Sequence, residues 1–209
     1  MKQFEILTEA DARTLEVGTS VALAKGGHIT PLAMDTLRAR KVTVVRDVVD
    51  ADLAALVPVS DVRRVAIGSD HTGLQFKSAL RDDLRARGVA VEDVGTHTTE
   101  AVDYPDIAAQ VARLVSRGEA DAGIVIDGAG LGSAIAANKI AGARAAMCNE
   151  TLLAKYAREH NGANVLTIGA TLVDLDVARA IVRTFVTTPM REPRYIRRLN
   201  KIRNLERTG

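Results

Sequence analysis

The 209-residue sequence is 47% hydrophobic and 26% charged with a net charge of +2, which suits a folded globular protein and excludes a disordered chain. No apolar run reaches membrane-spanning length, and the small charge, the lack of Trp and the 3% aromatic content argue against nucleic acid as a partner. A single cysteine, Cys148, excludes an internal disulfide, and the N-terminus MKQFEILTEADART lacks a secretory apolar core, so the cytoplasm is the expected compartment.

Residues 1–46 read as a small α/β unit. Thr8-Glu-Ala-Asp11 has the form of a capping box opening a short helix. Thr19–Ala24 is a candidate strand, followed by a turn at Lys25-Gly-Gly27. Thr30 and Pro31 fit the N-cap and first position of a helix running to about Arg40, and Val42–Val45 reads as another strand. Asp47–Asp61 is the expected linker.

Residues 62–209 form the second predicted domain, and their rhythm is different. Strands are expected at Val65–Ile67, Val89–Val94, Ala122–Ile126, Ala143–Met147 and Val165–Ile168. Between and after them, helices are expected at Leu74–Arg87, Tyr104–Arg117, Ser133–Lys139, Thr151–His160 and Leu175–Phe185. Gly88 is placed to end the first of these. Strict alternation implies a parallel five-stranded sheet with helices on both faces. The tail from Arg191 to Arg207 carries seven basic and two acidic residues, with Ile196, Leu199, Ile202 and Leu205 at helical spacing, so an amphipathic basic helix closes the chain.

Ligands of such sheets bind beyond the carboxyl ends of the strands. Unusual polar residues fall there: Asp70 and His71 after the first strand of this domain, and Asp127 after the third, at the head of the glycine loop in GIVIDGAGLG. Three readings of this loop stand side by side. A dinucleotide fingerprint accounts for Gly128, Gly130 and the acid Glu150, but its third glycine is Ser133 and Asp127 would face a pyrophosphate. A structural turn needs only that Asp127 accept backbone hydrogen bonds. A catalytic loop has Asp127 remove a proton while the N–H groups of Gly128, Ala129, Gly130 and Gly132 stabilise an oxyanion. A carboxylate tolerates neutral sugar hydroxyls and repels phosphate, so the phosphate of a phosphorylated sugar belongs with His71, Arg194 or Arg198. The two arginines, four residues apart, share a helix face. The histidines His28, His71, His97 and His160 lack ligand spacing, and no metal is expected.

From about Arg63 to Ile202 the chain resembles the type B ribose-5-phosphate isomerases, the family that includes the galactose-6-phosphate isomerase subunits. The resemblance rests on VAIGSDHTGLQFK, VEDVGTHTTEAVDYPDIA, ADAGIVIDGAGLGSAIAANKIAGARAAMC, AREHNGANVLTIGA and the tail arginines, in register and in order. It implies a dimerising Rossmann-like domain whose active sites draw on two subunits, and aldose–ketose isomerisation of a sugar such as ribose 5-phosphate through an enediolate, without a cofactor. By position it implies that Asp70 and His71 contact the substrate, His71 near the phosphate, and that Tyr104 lines the site. The Gly128–Gly132 loop, running into Ser133, would hold the enediolate. His160 with Asn161 would open the sugar ring, assisted by Asp70, and Arg194 and Arg198 would bind phosphate.

The chain departs from the family pattern at several positions. Relatives commonly have Cys as the C–H base where this chain has Asp127. Another branch has Ser there and a Glu in the following loop, where this chain has Leu131. A usual Thr is Ala129, and an expected phosphate-binding Arg is Thr171. Free thiols near 8.5 need activation to act as bases at neutral pH, whereas carboxylates near 3.9 are already ionised, so Asp127 is the expected substitute for the thiol. The rival is a sugar-phosphate-binding or scaffold protein that has lost catalysis. The first 46 residues are similar to segments attached to some bacterial microcompartment enzymes. That implies a targeting or docking unit for shell or cargo partners and a microcompartment lumen as the place of work; extra stability or oligomer contacts are the alternative. A homodimer or tetramer is expected, with neither membrane nor nucleic acid as a partner.

Overall fold

The computed structural model describes residues 3–46, 56–190 and 192–208. Contacts divide the chain into two compact units, residues 1–52 and 53–209.

The first unit is a β-α-β-α-β run: β1 (Gln3–Leu7), α1 (Glu9–Thr14), β2 (Ser20–Ile29), α2 (Pro31–Ala39) and β3 (Thr43–Arg46). Its strands pair in parallel in the order β1-β2-β3. The capping box is present: the Asp11 amide donates to the Thr8 hydroxyl at 3.4 Å and the Thr8 amide to the Asp11 carboxylate at 3.0 Å. Thr30 caps α2 by accepting the Ala33 amide, with Pro31 at the helix start. The expected turn at Lys25-Gly-Gly27 is a bulge instead. Phe4 pairs with Leu23 but Ile6 with His28, so β2 loops out within one continuous strand, and Gly26 supplies the required positive φ of 78°. Parallel neighbours leave no hairpin for a turn at that point to close. Leu7, Leu15, Val21, Leu23, Ile29 and Leu37 make the core of this unit.

In the second unit, β4 (Arg64–Ser69), α3 (Leu74–Ala86), β5 (Ala90–Asp93), α4 (Tyr104–Ser116), β6 (Ala122–Asp127) and α5 (Leu131–Ala137) come first. They are followed by β7 (Ala145–Met147), α6 (Thr151–Glu159), β8 (Val165–Gly169), α7 (Leu175–Thr187) and α8 (Pro193–Thr208). The strands form one parallel sheet in the order β5-β4-β6-β8-β7. Alternate residues feed two cores. Val65, Ile67, Ile124, Ile126, Leu166 and Ile168 pack with Leu80, Leu84, Ile181 and Phe185 on one face. Ala66, Val125 and Val165 pack with Ile107, Val111 and Ala137 on the other. Strands buried on both faces need the continuous apolar runs seen in the sequence. The chain leaves β4 towards β5 and returns to β6 on the other side of β4, so the connections diverge between β4 and β6. That divergence opens a crevice at the carboxyl ends of these two strands.

Residues 47–55 of the expected linker lie outside the described residues. Where description resumes, a half-buried and a buried arginine hold the backbone: Arg144 donates to the Leu56 carbonyl at 3.0 Å and Arg158 to the Val59 carbonyl at 2.6 Å. Neither arginine carries a local sequence signal, since both partners are set by the tertiary fold. Among the described residues, no helix is long and apolar enough to cross a membrane.

Candidate active site

The crevice between β4 and β6 is lined by two acids, each ending a buried strand. Asp70 follows β4 and is 6% exposed. Its amide donates to the Ile126 carbonyl at 3.1 Å, which sets it beside β6. Its Oδ1 accepts from the Thr72 amide at 2.9 Å, the Thr72 hydroxyl at 2.6 Å and the Gly73 amide at 3.1 Å. Such a turn, closed by its own Asp, is the usual way for a short polar side chain to stop a strand. Oδ2 accepts no hydrogen bond among the described residues.

Asp127 ends β6 and is 4% exposed. Its Oδ1 accepts from the amides of Ala129, at 2.8 Å, and Gly130. Its Oδ2 accepts from the amide of Ser133, at 3.2 Å, and from the Ser133 hydroxyl. Both oxygens are thus turned into the loop that follows. The expected glycine cradle is therefore divided: Ala129, Gly130 and Ser133 give their N–H groups to Asp127, while those of Gly128, Leu131 and Gly132 have no acceptor among the described residues.

The loop is tied from the other side as well. Thr171 donates to the Gly128 carbonyl through its amide at 3.1 Å and its hydroxyl at 2.6 Å, and Thr167 donates its hydroxyl to the Gly130 carbonyl at 2.7 Å. Gly130 sits at φ 76°, and a Cβ there would meet the Gly169 amide nitrogen at 3.0 Å, so glycine is required twice over. A Cβ on Gly132 would run into the Tyr104 ring, which lies against the loop at the start of α4. His71 joins the same edge, its Nδ1 accepting the Val102 amide at 3.5 Å. Lys77, fully buried, donates to Asp93 at 2.6 Å and to the Thr96 carbonyl at 2.7 Å, which anchors the connection leading to Tyr104. Thr72, Lys77, Thr167 and Thr171 as supports escape sequence reasoning, because their partners are set by the sheet.

The remaining predicted residues gather elsewhere. His160 is the C-cap of α6, immediately before the entry to β8, whose first residue pairs with Gly123 at the amino end of β6. It therefore stands at the opposite end of the sheet from Asp127. Its ring stacks on Tyr156 with centroids 4.6 Å apart and tilts against Tyr195 at 4.7 Å. The guanidinium groups of Arg194 and Arg198 lie over the Tyr195 ring at 4.9 and 5.6 Å. Asn161 is exposed and borders a groove against Ile202, Leu205 and Glu206 of α8. One chain thus brings Asp70, His71, Tyr104 and Asp127 to one edge, and His160, Arg194 and Arg198 to the other.

A second cavity, of about 350 Å³, lies at the amino ends of the strands among residues 56–59, Arg64, Arg144 and Asn164, away from both acids. Burial pushes the Cys148 thiol, at the exit of β7, up to about 12, so it is inert at neutral pH. Among the described residues, no three His, Cys, Asp or Glu side chains converge as metal ligands.

A model of the ribose/galactose isomerase family matches residues 65–202. Ribose-5-phosphate isomerase B of Escherichia coli (strain K12) is 41% identical over 145 residues, covering 69% of this chain and 97% of that enzyme. D-erythrulose-4-phosphate isomerase 2 of Mycolicibacterium smegmatis is 41% identical over 126 residues, 59% of this chain and 83% of that one. Among solved structures, ribose-5-phosphate isomerase B of Clostridium thermocellum matches with a TM-score of 0.68 at 46% identity, covering 69% of this chain and 98% of that one.

Proposed function

The chain belongs to the ribose/galactose isomerase family, enzymes of the isomerase class, and we propose that it interconverts the aldose and ketose forms of a small phosphorylated sugar through an enediolate. The observation that carries this reading is the crevice edge itself. Two buried carboxylates, Asp70 and Asp127, flank a loop with three unaccepted amides, those of Gly128, Leu131 and Gly132. A carboxylate serves as the C–H base, and free amides hold the negative oxygen that follows. The relatives include isomerases named for ribose 5-phosphate and for D-erythrulose 4-phosphate, so four- and five-carbon sugar phosphates are the first substrates to test.

The sugar phosphate also needs a cationic partner and a ring-opening group. We assign the phosphate to Arg194 and Arg198, with His71 near it, and ring opening to His160 with Asn161. The arginines and His160 lie at the amino end, so a second copy of the chain supplies them to this crevice in a homodimer or a larger assembly built from it. The departures at Ala129 and Thr171 bear on substrate choice. Thr171 serves as a tie for the Gly128 carbonyl, and a phosphate-binding arginine is absent at that position.

The test is an assay of erythrose, ribose and hexose phosphates with the wild type and an Asp70→Asn/Asp127→Asn double variant. Turnover of one substrate by the wild type and none by the double variant is expected. No turnover of any sugar phosphate, with binding retained, would establish the non-catalytic binding protein instead. For residues 1–46 we propose a docking role on a compartment shell or cargo partner. Unchanged fluorescence localisation after deleting residues 1–60, in a host that makes compartments, refutes that role.

A further inference from the structure

The two acids at the crevice are not equivalent, and the difference bears on the chemical step. Asp127 has both oxygens filled, by three amides and one hydroxyl of its own loop. A carboxylate oxygen offers about two lone-pair sites, so four donors occupy the whole group. To receive a proton from carbon it must first release donors that are charge-assisted and buried, and the loop amides would move with them. Asp70 is anchored through Oδ1 alone, by three donors from Thr72 and Gly73. Its Oδ2 accepts nothing among the described residues and is not sealed from the surface. One held oxygen and one open oxygen make an oriented base. The Thr72 hydroxyl that holds Oδ1 lies 3.8 Å from the Cβ position of Gly128, so Asp70 and the free amides border the same space.

Resting on the isomerase reading, we infer that Asp70 is the catalytic base and that Asp127 is a positioning residue. Oδ2 of Asp70 takes the proton from C2 of the open-chain aldose. The C2–H electron pair becomes the C1–C2 double bond, and the C1 carbonyl π pair moves onto O1, which the amides of Gly128, Leu131 and Gly132 hold. The O2 proton then passes to O1. The electron pair left on O2 re-forms a carbonyl at C2, and the C1–C2 pair takes the proton back from Asp70 at C1. C2 is oxidised and C1 reduced within one molecule, so no outside electron acceptor is needed. Asp127 keeps the amides of Ala129, Gly130 and Ser133 turned inward and so selects which amides remain for O1.

The deciding experiment measures solvent deuterium incorporation at C1 and C2, together with kcat, KM and Tm, for full-length variants on the substrate that the wild type turns over. Asp70→Asn keeps an Oδ1 acceptor for its turn. It is expected to fold with nearly unchanged Tm and to lose deuterium incorporation and kcat by about 10²- to 10⁴-fold. Asp127→Asn and Asp127→Ser are expected to lower Tm and raise KM while incorporation continues. Abolished incorporation in both Asp127 variants, with folded protein, overturns the inference, as does continued incorporation in Asp70→Asn. If Asp70→Asn does not fold, Asp70→Ser, which keeps an oxygen for Thr72 and Gly73, takes its place. A wild type that turns over no sugar phosphate defeats the isomerase reading itself, a separate outcome.

Discussion

The two ends of the parallel sheet differ in chemistry. At the carboxyl ends of β4 and β6 stand acids, glycines and backbone amides, each acid bound into its own turn. At the amino end stand a histidine between two tyrosines and two arginines over one of them. The first edge suits proton transfer at carbon and repels a phosphate placed against it; the second gathers cations, with Glu192 3.7 Å from Arg194 as a carboxylate that a phosphate would displace. A sugar phosphate needs both, and a rigid sheet keeps them apart within one chain. The proposed site joins the two edges through a second chain, since within one chain they lie at opposite ends of the sheet.

Substitutions at each edge sharpen the contrast. The largest effect is expected for Gly130→Ala. The left-handed φ costs an alanine about 1–2 kcal/mol, and the new methyl meets Gly169 and Ile168 at 3.0 Å. The loop shifts and its free amides lose their aim, so kcat should fall about 10²-fold along with Tm. Steady-state kinetics and thermal melting check both.

At the other edge, Arg158→Met acts through stability. Arg158 is 1% exposed and donates to the carbonyls of Ala163 at 2.9 Å and Val59 at 2.6 Å, two residues before His160. Burial, reinforced by the neighbouring Arg144 charge, pushes its guanidinium down to about 10, so deleting the charge offsets part of the loss. A net cost of about 1–3 kcal/mol is expected from the orphaned carbonyls, read by denaturant unfolding. Displacement of His160, the residue proposed for ring opening, should raise KM more than it lowers kcat.

The last effect is confined to alkaline pH and concerns Cys148, at the exit of β7 and outside the proposed site. Its thiol is pushed up to about 12 in the fold from an ordinary value near 9. Between these pH values the unfolded chain has lost the proton and the folded chain keeps it. Stability contributed by the neutral thiol is therefore full below pH 9 and falls with rising pH, by about 1.4 kcal/mol per unit. Unfolding of Cys148→Ala should lose that part of the alkaline decline, and an unchanged slope refutes it.

Much of this architecture is legible in the sequence because parallel strands buried on both faces leave apolar runs that propensity alone reads. The alternation from Val65 to Phe185 is of this kind, and with it come the positions of Asp70 and Asp127 at strand ends. Local signals fail where tertiary pairing decides. The glycine pair at Gly26 reads as a turn and is a bulge, because β1, invisible to propensity beside the capping box, pairs on both sides of it. The start of α5 is read at Ser133 and lies at Leu131, because Asp127 gathers the first-turn amides across six residues. At the site, residue types and topology locate the acids, but the filling of their oxygens depends on loop geometry. The ties from Thr167 and Thr171, some forty residues downstream, leave no local mark.

The claim that two chains complete each site is tested most directly by mixing inactive subunits. The Asp70→Asn/Asp127→Asn double variant lacks one edge and His160→Ala lacks the other; each is expected to be inactive alone. Unfolded together and refolded as a mixture, they give hybrid dimers in which one site has both defects and the other has none. Recovery of about a quarter of wild-type activity is expected from equal mixing in a two-fold dimer. Absence of recovery, with hybrid dimers present in the mixture, would contradict the account.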